Sequence, residues 1–477
     1  MRVSEHFELG RSQPTLDFVD VDVSQDARVF LDPRALRLLP SDWGDECVAL
    51  VQSFFTTVLD LIKQGEHMRA RGLLGELKEP NETHLGLSRG KSRGRALGPY
   101  SATIVWDALR KSEAVSSGLL EDLEDSILMI RGIGPDIISD ITTNIIRAPL
   151  VEYTQAMAEL YGIPLTPDVP IGPLWDPRAL TWDSRYSSLP MTKSGKLLLV
   201  PKVLVRTRMD YLPQDYYRNY LLEHLRQVEL DAGSELVHLL KDGSPRVSIK
   251  SLKAKYGKGK DAIVEQTLAH PDVLRRYRAA RESMPREPLS HDEIALQEGT
   301  ARPDWDELLG DVTDLRPGAL DAHDYERAVE RLLAALFYPS LANPQRQVPL
   351  HDGRKRIDLA YTNVATGGFF YWLALHHPAA RIFVECKNYA GDPANPELDQ
   401  LLGRFAPSRG QVGLLLCRRF EDKQLFLRRC KDTASDGHGF IIPLDDDDLA
   451  ALVAGRKDKP SDSAYGLLAE RFDSLVM

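Results

Sequence analysis

The sequence predicts a multidomain α/β protein with mainly helical N-terminal and middle regions, followed by a C-terminal unit built around short strands. Three observations predict it. A chain of 477 residues is too long for one ordinary core and points to roughly two or three domains. Helix-like segments recur in the first half, among them 46–63 and 100–111, with apolar residues at helical spacing. Beyond residue 319 short apolar runs take over, and acids and a lysine interrupt them.

The composition, 43% hydrophobic and 27% charged, is that of a soluble globular protein. A formal charge of −10 excludes a uniformly basic nucleic-acid coat, so any such surface is local. Cys47, Cys386, Cys417 and Cys430 show no paired metal spacing, as expected of reduced thiols in the cytosol. The N-terminal run Met1-Arg2-Val3-Ser4 lacks an apolar signal core. No segment approaches the roughly 20 apolar residues needed to span a bilayer. A cytoplasmic location without a membrane partner is expected.

Residues 1–165 form an α+β region of unassigned role. Val19-Asp20-Val21-Asp22-Val23 alternates as a half-exposed strand does, with the aspartates on a solvated face. Gly90-Lys91-Ser92 does not make a phosphate loop, because Gly86 and Gly90 enclose three residues where the rule needs four. The Gly- and Arg-rich stretch 88–98 is expected to be a mobile loop able to touch a phosphate backbone. Ile130-Arg131-Gly132-Ile133-Gly134-Pro135 looks like the hairpin of a helix-hairpin-helix element, whose glycines permit a tight turn close to phosphate. Against this, Asp136 and Asp140 follow where positive charge would help, and Ile138 replaces a small residue. A turn between packed helices is the competing reading. The proline-rich stretch 164–177 reads as a linker or irregular crossing.

The middle region, 166–285, is basic and mainly helical. Lys250, Lys253, Lys255, Lys258 and Lys260 follow Arg246 with no acid among them. They are the candidate nucleic-acid contacts, since phosphate binding needs only local positive charge. The bland reading is a pair of solvated, charge-rich helices. Residues 286–318 read as a linker, 319–455 as the unit that carries the chemistry, and 456–477 as a C-terminal tail.

Within 319–455 the first element is a helix over 324–337, with Ala328, Leu332, Ala335 and Leu336 at helical spacing. Residues 347–361 read as a hairpin turning at His351-Asp352-Gly353. Its second arm, Arg356-Ile357-Asp358-Leu359-Ala360-Tyr361, places an acid between apolar neighbours. After an aromatic insertion at 369–375 comes Ile382-Phe383-Val384-Glu385-Cys386-Lys387. Alternation points Glu385 and Lys387 to one face and Val384 and Cys386 to the other. Desolvating charge is costly, so such a pair inside an apolar run implies a use for it. Residues 396–405 read as a helix, and 413–417 as a buried strand. Glu76-Leu77-Lys78 and Glu421-Asp422-Lys423 repeat the E-x-K spacing but lack the strand context. Two carboxylates and a lysine on adjacent strands are the parts needed to hold a divalent metal against a phosphodiester.

This arrangement resembles the PD-(D/E)XK nuclease superfamily, and within it the Mrr-like restriction nucleases. The resemblance covers about residues 319–450, with Asp358 as the first acid and Glu385-Cys386-Lys387-Asn388-Tyr389 as the E-x-K element. Ile357 stands where the family name writes proline. The resemblance implies a restriction-endonuclease-like αβββαβ domain. It also implies that Asp358, Glu385 and the Cys386 carbonyl bind Mg²⁺ or Mn²⁺. Lys387 would orient water or neutralise charge on phosphorus. Glu326, or Glu330 one turn later, matches an additional acid, Gln400 a site glutamine, and Arg404 a phosphate contact. The implied function is a Mg²⁺-dependent endonuclease acting on double-stranded DNA, in restriction or anti-phage defence. A homodimer and defence-system partner proteins are further expectations. A DNA repair or recombination nuclease and a non-cleaving nucleic-acid-binding regulator are the alternatives.

Overall fold

Burial of apolar side chains divides the molecule into two large hydrophobic clusters. The computed structural model describes residues 1–86, 99–283, 287–350, 355–389, 391–393, 395–459, 463 and 465–477. One cluster runs from Val3 to Ile294 and draws in Tyr338, Ala342 and Val364. The other runs from Leu308 to Leu475. The N-terminal and middle regions thus share one core, and the expected boundary at 165/166 separates no cores. The fold is mixed α/β, with helix dominant. No helix among the described residues is long and apolar enough to cross a membrane.

Several expectations change in three dimensions. Residues 19–23 form no strand, and Asp20 is buried, accepting from Ser4 N at 2.8 Å and Ser4 Oγ at 2.6 Å. The proline-rich stretch is a strand, Thr166–Asp176, paired antiparallel with Thr181–Leu189. A two-stranded ribbon leaves each strand a free side, where a proline forfeits no ladder bond. The expected linker carries the helices His291–Glu298 and Trp305–Thr313. Leu308 and Val312 of the second helix belong to the C-terminal core. The expected tail likewise contributes Leu468, Phe472 and Leu475 to that core, through the helix Gly466–Val476. The run Gly90-Lys91-Ser92, the 88–98 stretch and the turn at His351-Asp352-Gly353 lie outside the described residues.

The C-terminal unit opens with α1 (Ala322–Leu336), whose buried face is Tyr325, Ala328, Val329, Leu332, Leu333, Ala335 and Leu336. Then follow β1 (Leu341–Leu350), β2 (Lys355–Asn363), α2 (Gly368–His376), β3 (Arg381–Lys387), α3 (Asn395–Leu402) and β4 (Val412–Cys417). The unit closes with α4 (Lys423–Ser435), β5 (Phe440–Leu444), α5 (Asp446–Asp458) and α6 (Gly466–Val476). The sheet order is β5-β4-β3-β2-β1. β1, β2 and β3 pair antiparallel, while β3, β4 and β5 pair parallel. The aromatic insertion is therefore helical, as α2. Every residue of β4 is buried, as a parallel strand covered on both faces requires.

Candidate active site

β2 and β3 bring two acids to the same end of the sheet. Their pairing runs from Thr362 opposite Arg381 to Leu359 opposite Val384, so Asp358 and Glu385 stand where the next pair would fall. There a side chain replaces the ladder. Asp358 Oδ2 accepts the Cys386 N–H at 2.9 Å, which ties Asp358 to β3 and spares a backbone donor an unmade bond.

Glu385 and Lys387 share a face of β3, and Lys387 Nζ donates to Glu385 Oε1 at 2.8 Å. Lys387 also donates to Gln400 Oε1 at 3.0 Å. Gln400 comes from α3, and Arg404 just beyond α3 donates through Nη1 to Glu385 Oε2. This segment lies close to the sheet because Gly413 of β4 has no side chain. A Cβ there would meet Leu401 Cδ2 at 2.9 Å and Phe405 Cζ at 3.1 Å. Glu385 is fully buried, and Arg404 is 4% exposed. Arg404 is therefore turned onto a carboxylate, away from any phosphate at the surface.

Glu326, on α1, is held by Arg346 Nη2 at 3.2 Å and by Gln347 Nε2 at 3.1 Å to each carboxylate oxygen. Arg346 and Gln347 belong to β1 and were not anticipated. Arg346 pairs with Leu359 in the sheet register, one residue from Asp358. The polar run Gln345-Arg346-Gln347 was the available signal, yet its value depends on which strand β1 joins. Glu330 points elsewhere, forming an ion pair with Arg11 of the N-terminal region.

Three carboxylates, Asp358, Glu385 and Glu326, meet three cations, Lys387, Arg404 and Arg346, but the ion pairs among the described residues go to Glu385 and Glu326 and leave Asp358 out. Burial, reinforced by the charges of Glu385 and Glu326, pushes Asp358 up to about 6 against the opposing pull of the Cys386 N–H and Lys387. Burial alone would lower Lys387, but the Glu385 carboxylate outweighs it and holds the ammonium above its ordinary value. Burial, with Asp358, Glu326 and Glu385 nearby, raises the Cys386 thiol far above its usual range. Its side chain is a neutral thiol, and any metal contact there falls to its carbonyl. No group of three or more His, Cys, Asp or Glu side chains positioned to hold a metal occurs among the described residues. Two carboxylates and a carbonyl are nonetheless a hard-oxygen donor set of the kind Mg²⁺ accepts while keeping several waters. Burial first, and the charges of Glu385 and Glu326 second, raise Asp358, and a bound cation would oppose both.

The basic middle region divides. Lys250 and Lys258 are exposed and Lys253 is half-buried. Lys255 is ion-paired with Glu229, which hydrogen bonds from Lys255, Ser234 and Tyr256 hold down to about 2. Lys260 donates to the carbonyls of Ile130 at 2.6 Å and Ile133 at 2.7 Å, and burial lowers it to about 8. It thereby closes the turn before the helix Pro135–Ile145. Asp140 of that helix is pushed up to about 8 by burial and by Asp136, Glu79 and Asp26. A turn plugged by lysine and followed by crowded acids is poorly suited to a phosphate backbone.

Residues 8–212 match the family model of a domain of unknown function, DUF8370. The match covers less than half of the chain and ends before the C-terminal unit begins. No curated protein and no solved structure matches the chain.

Proposed function

We propose that the C-terminal unit is a metal-dependent nuclease of the restriction-endonuclease-like type that hydrolyses phosphodiester bonds in DNA. The observation that carries this reading is the meeting of Asp358, Glu385 and Lys387 at the end of one strand pair, linked through the Cys386 N–H and the Lys387–Glu385 bond. Asp358, Glu385 and the Cys386 carbonyl would hold Mg²⁺ or Mn²⁺. A divalent ion bound there supplies Lewis acidity toward a phosphoryl oxygen and a lowered pKa for its water. The chain's own part is positional. Gln400 steers the Lys387 ammonium, which offers a fixed positive charge to the negative charge that develops on phosphorus. Arg346 and Gln347 keep Glu326 turned toward the acids. The resemblance in sequence extends the proposal to double-stranded DNA and to restriction or anti-phage defence.

Arg404 favours a second reading. A guanidinium already neutralises Glu385, as it would in a regulator that keeps the site's shape without cutting. Plasmid and oligonucleotide cleavage with Mg²⁺ and Mn²⁺ decides between them. The nuclease reading expects Lys387→Ala to lose about 10²-fold or more in rate with DNA binding retained. No cutting by the unaltered chain on duplex, single-stranded or branched DNA would leave the regulator.

A further inference from the structure

The strands Val237–Leu239 and Pro245–Val247 form a short antiparallel hairpin, followed at once by the helix Ile249–Tyr256. Val247 and Leu252 are its buried anchors, and the hairpin and helix pack on the helix Leu222–Asp231. The rest faces outward. Leu239 is 74% exposed and Leu240 42% exposed, side by side at the tip. Lys241 and Arg246 of the hairpin, and Lys250, Lys253 and Lys258 on and just after the helix, make no ion pair among the described residues. The lone acid between residues 237 and 260, Asp242, is turned onto its own loop, accepting from Ser244 N at 2.9 Å and Ser244 Oγ at 2.6 Å.

Resting on the nuclease reading, we infer that this hairpin and helix form a duplex-docking element: the five cations grip the phosphate backbone and Leu239 and Leu240 wedge between base steps. The charge argument comes first. Five unmatched cations in one small unit, on a chain of net charge −10, complement a polyanion, and phosphate neutralisation needs no base-specific contact. The two leucines come second. Apolar side chains at a basic tip are the means by which many architectural proteins unstack and kink a duplex. A membrane surface is the poorer occupant, because lipid anchoring uses a whole apolar helix face and here two side chains are exposed. The element would make the enzyme select DNA that bends easily, including flexible, nicked or mismatched duplex.

The test uses the full chain carrying Lys387→Ala, so that substrate survives, and a dye-labelled 30-base-pair duplex without divalent metal. Anisotropy titrations across salt, with end-to-end energy transfer, give affinity and bend. Adding Lys250→Ala, Lys253→Ala and Lys258→Ala should weaken binding at least about 10-fold and lower the salt slope by about 2–3, at about 0.9 per lost phosphate contact. Leu239→Ser with Leu240→Ser should leave the salt slope unchanged and remove the bend. Unchanged binding in the triple variant, with native circular dichroism, overturns the docking element. So does binding to phosphatidylserine vesicles that exceeds binding to DNA. Cleavage by the unaltered chain reports separately on the nuclease reading: cutting with an unchanged salt slope sinks the element alone, and a normal slope and bend without cutting sinks catalysis alone.

Discussion

Glu326 and Glu330 lie one turn apart on α1 and end in opposite kinds of surroundings. Glu330 faces the junction with the N-terminal region, where Arg11 Nη1 reaches it at 3.2 Å and Arg11 Nη2 reaches its other oxygen. Beside it, Asp17 accepts from Tyr153 Oη at 2.7 Å and Asn343 N at 2.9 Å. Lys202, lowered to about 7 by burial, donates to the Pro14 carbonyl at 3.0 Å and lies 4.1 Å from the centre of the Tyr338 ring. Each of these charges meets an opposite charge or a fixed dipole. Glu326 is also held, by Arg346 and Gln347, but it faces the end of the β2–β3 pair, where Asp358 receives one N–H and stands near two other acids. The difference separates structure from chemistry. Charges matched inside the protein hold the two regions together, whereas Asp358, outside the ion pairs of the described residues, is left for something from outside.

The largest expected effect would break the junction. Arg11→Ala strands a fully buried Glu330 and should cost about 3–5 kcal/mol of stability, measured by urea unfolding. Replacing Arg11 and Glu330 together by leucine should cost far less, since no charge is then left unpaired. Equal stability of Arg11→Ala and the unaltered chain would mean that the junction is not charge-matched.

Gly413→Ala tests the other side of the comparison, because its new methyl would push on Leu401 and Phe405. Overpacking of this kind should cost about 1–3 kcal/mol. It should also loosen Gln400 from Lys387, so cleavage should fall further than stability alone explains. A stable variant with full cleavage would show that α3 need not lie so close.

The smallest expected effect sharpens the contrast through pH. Asp358 rises from an ordinary carboxylate value to about 6, so between pH 4 and 6 the native chain holds a proton that the unfolded chain has released. That contribution to stability is full below about pH 4 and falls as pH rises through 6. Asp358→Asn removes the titration, so its stability relative to the unaltered chain should climb over pH 4–6 by on the order of 1–3 kcal/mol. Adding Mg²⁺ at pH 7.5 should raise the melting temperature of the unaltered chain and leave Asp358→Asn unmoved. A flat difference across that range would remove the claim that burial and its acidic neighbours hold Asp358 above its ordinary value.

Much of the candidate site could be named from local pattern. A two-residue period put Glu385 and Lys387 on one face, apolar flanks marked Asp358 as a strand acid, and α1 showed its buried face in the spacing of Val329, Leu332 and Leu336. What stayed hidden were partners distant in the chain. Glu229 lies 26 residues before Lys255, and the carbonyls that take Lys260 lie 127 and 130 residues before it, so the basic run looked uniform. Arg404 looked free because its partner, Glu385, sits on another element. Prolines masked the strand Thr166–Asp176, since their usual meaning is interruption and only the free side of a two-stranded ribbon removes the penalty.

Residue order alone determined the first helix and the three inner strands of the C-terminal unit, the low-polarity strand that carries two charges, and the locally basic middle region, because backbone periodicity and composition act over a few residues. Only the tertiary structure decided which charges are satisfied. It sent Glu330 to Arg11 and Glu326 to Arg346 and Gln347 beside the acids, folded the supposed linker and tail into the C-terminal core, and left five cations and two leucines uncovered. The physical reason is that desolvation and pairing are properties of a neighbourhood in space, and chain separation says little about who the neighbours are.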